Sequence, residues 1–192
     1  MRLFRLLLLA SPIAWGAVTQ VVCALGSGAS AYKAASDQRP TGDALQLSGR
    51  AFAAAKTLCG ANCPQVVLFR NSTSPNLMMM PAAGQAKIVY APQVFEAVYE
   101  HYGDAGIIAL LAHEIGHALD DAIGVAWIDQ KAPVELRADG FAGCILARAA
   151  VGADELPAAL AALEEFPSRQ HPAWSLRLAA LRAGYNQCGG AK

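Results

Sequence analysis

The sequence predicts an α+β domain, a small antiparallel sheet beside a bundle of five or six helices, and three observations carry that expectation. Short apolar runs bounded by Pro, Gly and Asn stand at Pro64 to Arg70, Leu77 to Met80 and Lys87 to Tyr90, with the lengths and borders of strands. Longer stretches before and after them place apolar residues at helical spacing. One of these, Ile107 to Asp120 (IIALLAHEIGHALD), adds two histidines and a glutamate to its apolar stripe.

With 192 residues, 55% hydrophobic and 16% charged, the chain can bury a single core and is too apolar for disorder. Residues 1 to 31 combine Arg2 and Arg5, an apolar run and small residues at Ala29, Ser30 and Ala31, the layout of a secretory signal peptide with cleavage expected after Ala31. The rival is an uncleaved N-terminal anchor or membrane tether, because Leu3 to Leu25 is long enough to span a bilayer, although Pro12, Thr19 and Gln20 weaken it. Bulky Val22 before Cys23 argues against a lipoprotein signal. Removal of this segment leaves 13 basic and 15 acidic residues with no run of lysine or arginine, so nucleic acid is not an expected partner.

Residues 32 to 42 read as a polar lead-in, a short flexible tether, and 43 to 192 as one domain, expected to be monomeric. A helix is expected from Asp43, with Gln46 completing a capping box, to Gly60. Val66, Val67, Leu68 and Phe69 make the next strand apolar on both faces, which predicts a position inside the sheet. Leu77 to Met80 and Lys87 to Tyr90 form a hairpin joined by PAAGQA, and Pro75 and Pro81 assign its first arm to an edge. There Met78, Met79 and Met80 either plug the core or line an edge to which an extended substrate adds itself.

Pro92 to Tyr102 is the next helix, ended by Gly103; Asp104 then caps the histidine helix, which Gly124 ends. Pro133 opens a helix to about Val151, Asp154 one that Pro167 stops, and Pro172 one to Gly184. The four cysteines after residue 31, Cys59, Cys63, Cys144 and Cys188, allow three connectivities. The tight CGANC turn favours Cys59 with Cys63, and Cys144 with Cys188 would staple the C-terminal tail. The alternative for Cys59 and Cys63 is a second metal site, for which no companion ligand pair stands at suitable spacing.

His113 and His117 are one helical turn apart, so both imidazoles can meet one metal ion, with Glu114 beside it. Eighteen residues after His117, Glu135 can complete a His–His–Glu set, and Asp139, on the same helical face as Glu135, fits the role of orienting a ligand histidine. The alternatives are core histidines without metal and an exposed acidic face paired with Arg137 or Arg148. Small and apolar Ala138, Phe141, Ala142 and Ile145 argue for burial instead. Asp120 and Asp121 read as solvated charges or as tuning groups for His117.

HExxH followed by ExxxD resembles the gluzincin zinc metallopeptidases, within them the family of prenyl-protein proteases and related heat-shock and periplasmic peptidases. Asn76 to Phe95, ELRADGFA and HPAWSLRL are similar to that family's strand pair, Glu-helix and late His-Pro-x4-Arg segment, over about residues 62 to 182. The interval between the two motif helices is short for the prenyl-protease branch, and no set of hydrophobic spans follows the N-terminus. The resemblance implies a zincin-like fold and one Zn2+ held by His113, His117 and Glu135, with Asp139 in support. It further implies Glu114 as general base, His171 or Arg177 at the oxyanion, and a polypeptide substrate along the Met78 to Met80 edge. The expected activity is that of an exported, periplasmic or secreted endopeptidase. The competing readings are a zinc-holding chaperone or adaptor without catalysis and a helical domain without metal. His171 as a helix cap and Arg177 paired with Glu164 or Glu165 are the structural alternatives at the late segment.

Overall fold

In the computed structural model, which describes residues 23–24, 32–82, 85–166 and 171–189, five helices pack on one small sheet. The signal or anchor expected over 1 to 31 lies outside the described residues except for the backbone of Cys23 and Ala24, as do part of the hairpin turn and Pro167. The strands are β1 (Cys23–Ala24), β2 (Gln65–Arg70), β3 (Met78–Ala82) and β4 (Gln85–Tyr90), in the order β1-β3-β4-β2. The sheet is mixed, which corrects the antiparallel expectation: β3 and β4 form the antiparallel hairpin, whereas β2 runs parallel to β4. β2 is an edge strand, not an internal one. Its outer side carries one isolated bridge, Gln38 with Arg70, and its apolar residues are covered face-on rather than by a second strand.

Alternation sorts the sheet residues. Leu68, Met79, Ala86, Ile88 and Tyr90 enter the helical core, while Met78, Met80 and Val89 form a second cluster on the other face with Tyr32 and Phe69 against it. The lead-in is therefore no tether. Tyr32 donates to Asp37 at 3.0 Å, Lys87 bonds both, and Asn71 donates to Asp37 at 2.7 Å. A buried-side lysine needs this carboxylate partner, and residues 32–38 supply it.

α1 (Gly42–Cys59) is capped by Thr41, whose hydroxyl accepts from Ala44 N–H, so the cap lies two residues before the expected Asp43. α2 (Pro92–Ala122) breaks at Gly103, where φ is 61°, a conformation glycine adopts at no steric cost, and its second half is the histidine helix. α3 (Val134–Arg148) has Pro133 as its N-cap, and α4 (Leu156–Glu165) starts two residues later than expected. α5 (Trp174–Gln187) starts after Pro172 and runs through Gly184 rather than ending there. Gly184 is a packing residue: a Cβ on it would collide with the carbonyl oxygen of Gly140, so it lets α5 touch α3 backbone to backbone.

Both expected disulfides are present, with Cα–Cα separations of 4.8 Å for Cys59–Cys63 and 5.1 Å for Cys144–Cys188. They mark an oxidising, extracellular-type environment. Among the described residues no helix is long and apolar enough to cross a membrane. Cys144–Cys188 closes a loop of 44 residues in sequence separation and pins α5 to α3. Replacing both cysteines by alanine should cost roughly 3 to 4 kcal/mol in denaturant unfolding on the chain-entropy relation. A loss under about 1 kcal/mol would show that α3–α5 packing needs no staple.

Candidate metal centre

The site is built where the second half of α2 crosses α3. Ile107, Ile108, Leu110, Leu111, Ile115 and Leu119 bury the histidine helix in the core, which carries its polar side chains inward with it. His113, Glu114 and Asp139 are 0% exposed, His117 is 1% and Glu135 7%. The exposed acidic face is thus excluded for Glu135 and Asp139. Arg137 grips Asp120 instead, with Nε 2.8 Å from Oδ1 and Nη2 2.6 Å from Oδ2, and fastens the last turn of α2 to the first turn of α3. Asp120 is consequently a clamp rather than a solvated charge.

His113, His117 and Glu135 each offer a ligand atom, and the three atoms lie within 4.8 Å of one another. One oxygen gathers the ring nitrogens: Glu135 Oε2 is 3.3 Å from His113 Nε2, 3.5 Å from His117 Nε2 and 3.2 Å from His171 Nε2. Behind His113, its Nδ1 stands 2.9 Å from Asp139 Oδ1. A carboxylate only accepts, so Nδ1 carries the proton and the Nε2 of a neutral His113 presents a lone pair to Glu135. Two acceptors facing each other at that distance need a positive charge between them, either a proton on Nε2 or a metal ion. His117 adds the second argument. Its Nδ1 is buried without a hydrogen-bond partner and its Nε2 has only the 3.5 Å approach to Glu135, so ligation through Nε2 would give that nitrogen the partner it lacks.

The electrostatics agree with ligand behaviour. Burial, opposed by the nearby Glu135 carboxylate, holds His117 below its ordinary pKa and so keeps its lone pair available. Burial would raise the Glu135 carboxyl, but the three imidazoles that face it outweigh burial and hold it well below the carboxylate range. Burial would likewise raise Asp139; His113 and Arg177 overcome it and keep the group anionic. These residues can hold a metal ion through two neutral nitrogens and one anionic oxygen.

The late segment also reaches this site. His171 sits beside His113 with ring centroids 5.3 Å apart. Arg177, 1% exposed, donates from Nε and Nη2 to Asp139 at 2.8 and 2.9 Å, and its Nη1 stands 3.4 Å from the Leu163 carbonyl and 2.9 Å from His171 Nδ1. It is neither paired with Glu164 or Glu165 nor turned to the metal group, but stands behind Asp139 and His171. The sequence held no sign of this pairing, since Asp139 and Arg177 are 38 residues apart. Met78, Met79 and Met80 are buried at 0 to 1% exposure, so a partner at that edge would meet their main chain rather than their side chains. The expected edge position of this arm is corrected: β3 lies between β1 and β4, its outer side paired antiparallel with Cys23 and Ala24, because the prolines that bound the run leave Met78 and Met79 free to pair.

No protein-family model, no curated protein and no solved structure matches this chain.

Proposed function

We propose that the chain is a zinc-dependent endopeptidase of the cell envelope that hydrolyses peptide bonds in extended or unfolded polypeptide. One observation carries the reading: a further buried carboxylate, Glu114, stands between the two histidines of a His–His–Glu group that has no need of it as a ligand. The donor set of two imidazoles and one carboxylate suits zinc, and His113, His117 and Glu135 would hold it. Zinc supplies a Lewis acid that lowers the pKa of its water toward about 7 and polarises a carbonyl.

The side chains of the protein do the rest. Asp139 keeps His113 in the tautomer that offers Nε2, and Arg177 keeps Asp139 anionic. Glu114 takes the proton of the attacking water and returns it to the leaving amine, so one carboxylate serves as base and then acid. His171 lies in the segment just before α5, beside the same group, where an N–H can meet the oxygen that gains charge during attack. An extended polypeptide would pair with β3 in the place that Cys23 and Ala24 occupy, and their antiparallel pairing there supports the capacity of this strand to take such a segment.

The depth of the group favours a second reading, a domain that holds metal without catalysis as a chaperone or adaptor, because closed sites are characteristic of structural metals. Metal analysis and hydrolysis of unfolded polypeptides separate the two. Purified protein should contain about one zinc per chain, the number that one His–His–Glu group holds. Chelation should lower Tm, removing about 2.7 kcal/mol if zinc stood at a hundredfold excess over its Kd, and abolish hydrolysis. Zinc without hydrolysis would leave the structural reading. No effect of zinc on Tm would remove the site.

A further inference from the structure

Three imidazole Nε2 atoms surround Glu135 Oε2 at 3.2 to 3.5 Å, yet only two of them belong to the group that can close on one ion. Distance from Glu135 does not separate His171 from the other two. The groups behind each ring do. His113 Nδ1 faces Asp139, an acceptor, and so must carry a proton, whereas His171 Nδ1 faces the Nη1 of Arg177, which has donors and no lone pair. His171 Nδ1 therefore accepts, and the proton of the neutral ring is on Nε2, pointing at Glu135 and the ligand group. A doubly protonated ring would set an Nδ1–H against the guanidinium N–H at 2.9 Å, so this contact selects the neutral form.

We infer that Arg177 is a positioning residue that fixes His171 as an Nε2–H donor and so keeps it out of the metal's ligand set. One guanidinium thereby imposes opposite tautomers on two histidines. Through Asp139 it makes His113 present a lone pair, and through its own Nη1 it makes His171 present a proton. A donor at His171 can stabilise an oxygen that gains negative charge; a lone pair there would instead fill the open coordination position. The inference rests on the endopeptidase reading for its catalytic meaning, but the proton's location is a property of the folded chain.

Nitrogen-15 NMR of the histidine rings in the zinc-loaded full chain reads that location without any substitution. Expected are a protonated Nε2 with an unprotonated Nδ1 for His171, and the reverse proton placement for His113. A proton on His171 Nδ1, or His171 Nε2 bound to zinc, would overturn the inference even if the protein hydrolyses peptides. Arg177→Lys supplies the second test, because one ammonium keeps a cation at Asp139 but cannot also span to His171. It should let the His171 tautomer change, alter the visible spectrum of the cobalt-substituted site, and lower kcat about 10²- to 10³-fold with little change in KM. An unchanged His171 tautomer in Arg177→Lys would likewise refute the assignment. Absence of hydrolysis in wild type, with the tautomers as expected, would reject the endopeptidase reading and leave the positioning role standing.

Discussion

Glu114→Gln should bind zinc as the wild type does and hydrolyse polypeptide about 10²- to 10⁴-fold more slowly, the range a general base contributes. The expectation follows from the helix. Glu114 is rotated by about 100° from His113, so it stands aside from the direction in which His113 and His117 point together, and it is not one of the three side chains whose atoms converge. Gln keeps the size and most hydrogen bonds of Glu, so the fold around a side chain that is 0% exposed is preserved while the base is lost. Glu135→Gln is the contrasting variant. It removes the anion from the ligand set and should lose zinc itself, with the accompanying fall in Tm. Wild-type activity in Glu114→Gln would eliminate it as the base, and loss of zinc would make it a ligand.

What could be read from the sequence and what could not divides along sequence separation. His113, Glu114 and His117 declare themselves because a helix places residues four apart on one face, and the caps at Gly60 and Gly103 follow from local backbone preference. The hairpin of β3 and β4 is local in the same sense. β2 failed for the opposite reason: its apolar pattern reports two covered faces but not which strand lies beside it, and residues 32–38 cover it without joining the sheet as a strand. Asp37 with Lys87, Asp120 with Arg137 and Asp139 with Arg177 are fixed by how elements pack, so no spacing rule announces them. Gly184 misled because glycine stops many helices, and here it permits contact instead.

Gly116, inside the HEIGH motif, shows the same use of glycine at the metal group, and its replacement by alanine should weaken zinc binding by tenfold or more, the order seen when ligand-orienting contacts are lost. A Cβ on Gly116 would overlap the carbonyl oxygen of Ala138 and stand 3.1 Å from its carbonyl carbon and its Cα. Those are backbone atoms of α3, which cannot turn aside as a side-chain tip would, so the two helices must part. Ala138 lies between Glu135 and Asp139 on α3, while Gly116 lies between His113 and His117 on α2. Any separation here therefore moves the carboxylates away from both imidazoles at once. Overpacking should itself cost about 1 to 3 kcal/mol in the metal-free protein, and the lost zinc stabilisation adds to it in the loaded one. Gly106→Ala is the control on the same helix, since its Cβ would press on Tyr102 and come 3.3 Å from Ala162 Cβ, away from the ligands. It should lower Tm and leave zinc affinity unchanged. If Gly116→Ala titrates with zinc like the wild type, α2 and α3 accommodate the methyl without moving their ligands, and the close approach is packing alone.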